Sequence, residues 1–262
     1  MEFNVEELRG YFLSRLIGRR IEYFEELEST NTEALRLALE NATEGTVVLA
    51  DAQSEGRGRL DRVWESPPSM NLYLSVVLRP DIPAASASLI PLMVGVAVAD
   101  VMSKYCPGRV RLKWPNDVLI DGRKICGILT EMRTRADRVH FIIVGIGVNI
   151  NMRKLDFPRE IRETATSLRI WTECEIDRLD VAIRLFENLE RCYRIFLSGG
   201  EAAIRETWLQ YAELVGKRIE VVFGKTIQRG TVTGLDESGA LLLEGETGAQ
   251  QVLAGDVYIE RL

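Results

Sequence analysis

The spacing of apolar residues predicts a short amphipathic helix over residues 4–17 and a strand over 21–27. A second helix is expected to start near Asn31, because Thr30 followed by Glu33 fits a capping box. Residues 46–53 (TVVLADAQ) and 72–78 (LYLSVVL) are predicted strands. The segment between them, SEGRGRLDRVWESPPSMN, is polar, rich in Gly and Pro, and has no periodicity. It is a long loop inside a compact domain, the kind that is usually functional or mobile. A mostly apolar helix at about 86–104 should be buried on most sides. Short strands follow near 110–113, 117–120, 124–132 and 139–150, several punctuated by turn residues such as Asn116-Asp117 and Asp121-Gly122. Residues 176–197 and 202–214 read as two helices. From Val215 the pattern changes to short β runs with Gly-containing turns, which predicts a small all-β barrel of 48 residues. The expected architecture is α+β, divided into 1–214 and 215–262.

Composition narrows the function. Thirty-three Lys and Arg against 39 Asp and Glu leave a net charge of −6, which offers no broad basic field for DNA or for an anionic membrane. The four cysteines, at 106, 126, 174 and 192, form no CxxC pair and are expected to be reduced thiols. With His140 the only histidine, zinc motifs that need two are excluded. The N-terminus lacks the basic-then-apolar pattern of a secretory signal. The most apolar run, residues 89–99, has 11 residues and contains Pro91, whereas a membrane span needs about 20. A soluble, cytoplasmic protein is expected.

Four segments could carry chemistry. In GRGRLDR (56–62), two glycines let the backbone approach a ligand, and three arginines supply forked donors for phosphate or carboxylate. Glu55 and Glu65 flank it, which suits one small anion better than a nucleic-acid strand; a solvated surface loop is the plain alternative. In RLKWPND (111–117), Trp114 offers an apolar wall and Asp117 an oxygen ligand for Mg²⁺, although the same residues also make ordinary hairpin and core chemistry. In DGRKICGIL (121–129), Lys124 stands at the start of an apolar strand, where it can reach a phosphate or simply be an exposed charge. GIGVN (145–149) is not a dinucleotide fingerprint, since Ile150 replaces the third glycine. Two glycines within a strand instead permit close approach of a ligand or another backbone. Cys126 reads as a buried small hydrophobe and His140 as structural or exposed. No GxSxG elbow accompanies that histidine.

Taken in order, Ser29-Thr30-Asn31, Gln53, GRGR at 56–59, Trp64, KWPND at 113–117, GRKICGIL at 122–129, Glu131 and GIGVNI at 145–150 resemble the biotin protein ligases. The resemblance is close over residues 21–152. It implies a mixed-sheet, class II synthetase-like catalytic domain followed by an SH3-like β-barrel. It also implies a two-step reaction: biotin and Mg-ATP give biotinyl-5′-AMP and pyrophosphate, and a lysine of a biotin carboxyl carrier domain then takes the biotinyl group and releases AMP.

On that resemblance Ser29, Thr30, Asn31 and Gln53 contact biotin, helped by Gly56, Gly127 and Gly145, which bring backbone close to it. Lys124 lies between the biotin carboxylate and the α-phosphate, with Arg57 and Arg59 as further catalytic cations. Arg62, Trp64, Asn116, Gly147 and Asn149 join Arg59 and Lys124 around the adenylate, and Asp117 is the candidate Mg²⁺ ligand. The sequence departs from the common GRGRRGRxW pattern at Leu60 and Asp61, so weaker retention of the adenylate is expected. Some relatives carry an N-terminal DNA-binding domain. Here 28 residues precede Ser29, with four Arg and seven Glu, so the short form without DNA binding is expected. A lipoate-type ligase shares the fold but lacks this motif series. A binder that holds biotin without transferring it is favoured only by Leu60 and Asp61, and pyrophosphate release separates it from an enzyme. The segment 215–262 holds five Lys/Arg and seven Asp/Glu, so its charge does not suit a nucleic-acid module; the resemblance implies that it helps shape the ATP or acceptor-protein site, and the plain alternative is that it only stabilises the main domain. Exposed strand edges leave a homodimer open.

Overall fold

A computed structural model describes residues 3–245 and 248–259. Residues 1–2, 246–247 and 260–262 of the two expected domains lie outside the described residues. In chain order the larger unit contains α1 (Val5–Phe12), β1 (Ile21–Leu27), α2 (Thr30–Leu39), β2 (Val47–Gln53), β3 (Leu72–Leu78), α3 (Ile90–Tyr105), β4 (Val110–Lys113) and β5 (Asp117–Ile120). It continues with β6 (Arg123–Arg135), β7 (Arg138–Val148), α4 (Leu168–Thr172), α5 (Arg178–Leu197) and α6 (Glu201–Ala212). Its seven strands form one mixed sheet, ordered β1-β2-β3-β7-β6-β5-β4, in which only β1 and β2 run parallel.

Strict alternation along β7 sorts its side chains between two cores. Ile142, Val144, Ile146 and Val148 join the main core with α3 and α5, while Phe141 and Ile143 pack beneath α2. Continuing the second series, the next two positions on the α2 face are Gly145 and Gly147. The sheet therefore loses its side chains where the N-terminus of α2 comes down on it.

Several expected boundaries move. The first helix stops at Phe12 rather than residue 17, and a turn reverses the chain at Gly18, whose φ is +86°. Ser29, not Thr30, is the N-cap of α2, and its side chain makes no capping bond. Thr30 is the first helical residue, with its hydroxyl turned towards Gln53 and Ser75, and Glu33 pairs with Arg36 instead. Strand β6 runs three residues past 132, because its pairing with β7 continues to Arg135. Helix α4 has only five residues, too few for a hydrophobic period to reveal it.

The apolar helix is longer than its 89–99 core suggests. Together with the helical turn before it, the helix spans 22 residues, Ala84–Tyr105, and its most apolar 18-residue window has a mean hydropathy of 1.8, enough by length and composition to cross a membrane. In this fold 72% of its most apolar window is buried, against the sheet, α5 and α6, so it serves as a core helix.

One buried carboxylate anchors the N-terminal turn. Glu190 on α5 is 4% exposed and accepts from the N–H groups of Leu16 and Ile17, at 2.9 and 3.1 Å, and from Arg194. Burial alone would raise its pKa, but these donors outweigh burial and hold the carboxyl below the ordinary Glu range. Its stabilisation is therefore present above the unfolded value, about 4.3, and lost as the pH falls through the lower folded value. Glu190→Gln is expected to cost about 1–3 kcal/mol near neutral pH. Denaturant unfolding of wild type and variant between pH 7 and 3 checks this, since their difference should shrink in acid; a constant difference would refute the account.

The C-terminal strands β8 (Arg218–Phe223), β9 (Thr226–Leu235), β10 (Leu241–Gly245), β11 (Gly248–Val252) and β12 (Asp256–Ile259) form an antiparallel sheet ordered β11-β10-β9-β8-β12. Among the described residues no pairing joins β11 to β12. This sheet is fastened to the larger unit by Trp114 Nε1, which donates to Gly239 O at 3.0 Å, and by Ser88 Oγ, which donates to Ser238 O at 2.6 Å.

Candidate active site

Three adjacent strands build the floor. Tyr73, Gly147 and Gly127 lie in one cross-strand row, and Ser75, Gly145 and Leu129 in the next. Neither row is left bare. A Cβ on Gly147 would sit 2.4 Å from Trp64 Nε1, and one on Gly127 2.9 Å from Trp64 Cζ3, so the indole rests on this glycine pair. A Cβ on Gly145 would fall 2.1 Å from Asn31 Oδ1. The glycines thus make room first for the protein's own side chains, a use the sequence did not distinguish from room for a ligand. Above the floor is a cavity of about 560 Å³, within the range of small-molecule sites.

One wall is a polar cluster at the start of α2. Gln53 Oε1 accepts from Thr30 N at 2.8 Å and lies 3.2 Å from Thr30 Oγ1. Ser75 Oγ lies 2.8 Å from Thr30 Oγ1 and 2.6 Å from Asn31 Oδ1. Asn31 Nδ2 donates to Glu131 at 2.7 Å and to Leu129 O at 3.3 Å, which fixes the amide orientation. Two hydroxyl protons serve three oxygen–oxygen contacts here. One contact therefore lacks a hydrogen bond, and its oxygens keep lone pairs for an incoming N–H donor.

Lys124 lies on the opposite side. Its Nζ is 2.7 Å from Asp117 Oδ1 and 5.4 Å from the centre of the Trp64 ring. A β-bulge aims it there: Leu119 pairs with Lys124 but Val118 with Cys126, leaving Ile125 as the extra residue. Ile125 and Cys126 are both fully buried, while Lys124 comes out on the face of Gly127. The backbone of Lys124 is clamped by Thr164 O, which accepts from Lys124 N at 2.7 Å, and by Thr166 N, which donates to Lys124 O at 2.9 Å. Cys126 has its thiol pushed well up by burial, in keeping with an inert core residue.

The loop of 54–71 folds over this space and each of its three arginines has a partner. Arg57 is 3.1 Å from Glu131, Arg59 Nη1 donates to Asn116 Oδ1 at 3.1 Å, and Arg62 pairs with Asp256 of β12. That last hydrogen bond raises the Arg62 pKa above the ordinary guanidinium value. The arginines are thus held by three different elements, and Asn116 is itself fixed by donating to Ile128 O at 2.6 Å.

Of the residues singled out from the sequence, Ser29, Thr30, Asn31 and Gln53 line the cavity together with Arg57, Arg59 and Arg62. Trp64, Asn116, Asp117 and Lys124 line it as well, as do Gly127, Gly145, Gly147 and Asn149. Gly56 does not; its carbonyl accepts from Trp64 N at 2.9 Å behind the wall. Trp114 is a core residue, 3% exposed, and His140 is exposed elsewhere on β7.

The residues from 23 to 149 match the biotin/lipoate A/B protein ligase family, and 214 to 259 match the biotin protein ligase C-terminal domain. The bifunctional ligase/repressor BirA of Bacillus subtilis is 37% identical over 253 residues, which is 97% of this chain and 78% of that protein. The chain belongs to the biotin protein ligase family. A second relative, the biotin–[acetyl-CoA-carboxylase] ligase of Paracoccus denitrificans, is 34% identical across 88% of this chain and 97% of its own. Among solved structures, the biotin protein ligase of Aquifex aeolicus in complex with biotin and ATP superposes with a TM-score of 0.77. It is 29% identical and covers 93% of this chain and all of its own.

Residues that no motif in the sequence marked also come to this cavity. Ser75 and Tyr73 belong to the floor rows, and the segment carrying Phe157, Ile161 and Ala165 closes one side of the cavity. Asp256 reaches it from the C-terminal sheet. No motif marked them, because what brings them to the site is pairing and packing between distant stretches of chain. Glu131 stood within the motif series but had no role there; its contacts with Asn31 and Arg57 supply one.

Proposed function

We infer that this biotin protein ligase adenylates biotin and passes the biotinyl group to a lysine of a biotin carboxyl carrier domain. A carboxylate oxygen of biotin attacks the α-phosphorus of ATP, and the bond to the β-phosphate bridge breaks, releasing pyrophosphate. The acceptor amine then attacks the anhydride carbonyl, gives up a proton and expels AMP. The observation that carries this reading is the placement of Lys124 across one cavity from the Thr30–Ser75–Asn31 cluster. A ureido ring presents N–H donors and a carbonyl acceptor, which suit that under-protonated cluster, with Ser29 and Gln53 beside it.

Lys124, oriented by Asp117, offsets the repulsion between carboxylate and phosphate, and Arg57 and Arg59 add charge as they exchange protein partners for ligand oxygens. Trp64 on the Gly127–Gly147 seat covers the adenylate and keeps water from the anhydride, with Arg62, Asn116 and Asn149 around the nucleotide. Gly56 supports this arrangement from behind. Among the described residues no group of three or more His, Cys, Asp or Glu side chains is placed to hold a metal. Mg²⁺ fits here as an ion held chiefly by the nucleotide's phosphates and water, with Asp117 as its one carboxylate; bound so, it would neutralise phosphate charge.

Several finer features belong to the same reading. A class II synthetase-like unit ends at Leu214, and the C-terminal sheet from Val215 closes as an SH3-like barrel. The chain works in the cytoplasm, and two copies pair along an open edge of the larger sheet. The decisive experiment is transfer of labelled biotin to a purified carrier domain with Mg-ATP. Biotin binding without pyrophosphate release or transfer would reduce the chain to a binder.

The loop also makes a quantitative expectation. Leu60 and Asp61 both adopt left-handed backbone, with φ of +55° and +56°, where glycine is at ease and Leu and Asp are strained. Leu60→Arg/Asp61→Gly relieves the strain at 61, removes an anion and adds a cation. Release of biotinyl-AMP, followed by stopped flow, should slow about tenfold; equal rates would sink the expectation.

A further inference from the structure

Ser66 is 8% exposed and lies outside the cavity, yet it joins the two ends of the site. The direction of each bond can be worked out. Thr30 N–H can only donate, so Gln53 must face it with Oε1, at 2.8 Å. Gln53 Nε2 therefore points the other way and donates to Ser66 Oγ at 2.8 Å. With its acceptor side occupied, Ser66 Oγ gives its single proton to Trp64 O, at 2.9 Å. The backbone closes the link, since Gln53 N donates to Ser66 O at 3.2 Å and Trp64 N to Gly56 O at 2.9 Å. Gly56 is required at this junction: a Cβ there would lie 2.2 Å from Trp64 O and 2.7 Å from Ser66 Oγ.

We propose that Ser66 is a positioning residue that sets the Trp64 cover from the occupancy of the Thr30–Gln53 end, so that a ureido ligand bound there favours retention of the adenylate. The inference rests on the biotin and adenylate reading given above. Its physical basis is a chain of donors with one allowed direction, in which tightening at Thr30 polarises each following bond up to the Trp64 carbonyl. The indole at the other end of Trp64 rests on Gly127 and Gly147 and faces Lys124, so a small displacement of its backbone uncovers the reacting atoms.

The test uses the full chain with Ser66→Ala, Ser66→Cys and Ser66→Thr. Cysteine keeps the side-chain volume with only a weak donor, and threonine restores the hydroxyl. In Ser66→Ala and Ser66→Cys the biotin dissociation constant should stay within about threefold of wild type. KM for ATP and the release rate of biotinyl-AMP should rise about tenfold, as for loss of one buried hydrogen bond. The part of the biotin-induced fluorescence change due to Trp64, taken as the difference from Trp64→Phe, should disappear, and threonine should restore all three readouts. Should the alanine variant not fold, the cysteine variant is read alone. The inference is overturned if ATP and adenylate constants stay within twofold of wild type, or if biotin affinity falls in step with them, which marks a merely structural residue. If wild type binds biotin with a Trp64 signal but makes no adenylate, the functional reading fails while the fluorescence arm still decides the role of Ser66. Absence of biotin binding by wild type overturns both.

Discussion

Replacing Lys124 by alanine is expected to slow biotin-dependent ATP–pyrophosphate exchange by about 10²–10³-fold, the usual cost of removing one charge-stabilising donor from a reaction centre. The first step brings a carboxylate against a phosphate, two anions that repel, in a pocket where solvent screening is reduced. Lys124 is held where it can act between them, by Asp117 at 2.7 Å on one side and the Trp64 face on the other. Lysine presents a compact charge, whereas arginine spreads its charge over a planar fork, so Lys124→Arg should recover only part of the rate. The stability cost should be small, because Lys124 and Asp117 are 35% and 22% exposed and the remaining carboxylate can take up water. Supplying ready-made biotinyl-AMP separates the steps: the variant should then transfer biotin to the carrier domain with a much smaller deficit. A variant that exchanges pyrophosphate within tenfold of wild type would move the role to Arg57 or Arg59.

Gly145→Ala is the second large effect, and it acts on biotin rather than on ATP. The new methyl would meet Asn31 Oδ1 at 2.1 Å, far inside contact distance. Asn31 cannot swing aside cheaply. It is 3% exposed, its carbonyl oxygen is in contact with Ser75, and its amide donates to Glu131 and Leu129 O. Relief must come from breaking that network or shifting β7, at about 1–3 kcal/mol of overpacking. Biotin affinity should fall by about 100-fold, because the cluster proposed to read the ureido ring is then misplaced. Calorimetric titration with biotin and denaturant unfolding measure the two effects. The double variant Asn31→Ala/Gly145→Ala should be more stable than Gly145→Ala alone, since the clash is gone, but should not regain biotin. A Gly145→Ala protein with wild-type affinity would place the ureido ring elsewhere.

Much of this site was legible because its parts come as short contiguous motifs whose chemistry is local. GRGR and KWPND concentrate cations, an amide and a carboxylate in runs where no regular element needs them all, and from them Arg57, Arg59, Asn116 and Asp117 do line one cavity. The capping reading of Thr30 failed for a local reason. Capping depends on which residue first takes helical backbone angles, and Ser29 precedes it with extended ones, leaving Thr30 free to face Gln53. Ser75, Tyr73 and Asp256 were illegible for a different reason. In sequence they are ordinary strand residues, and they acquire a role only because β3, β7 and β12 arrive at the same place.

By itself the sequence determined the two-part α+β organisation, the apolar core helix, the long arginine loop and the chemical groups available for acyl-adenylate chemistry. Period, composition and turn residues are properties of neighbouring positions, so they can be read without a fold. The tertiary structure decided which way those groups point and what they touch. Strict alternation from Cys126 and Ile128 would turn Lys124 into the main core, and only the extra residue Ile125, defined by pairing with β5, brings it out beside Gly127. Likewise the three glycines could have faced a ligand directly, but the strand register places Trp64 and Asn31 over them. Register and bulge positions are set by long-range pairing, and a one-residue shift moves every side chain to the other face of the sheet.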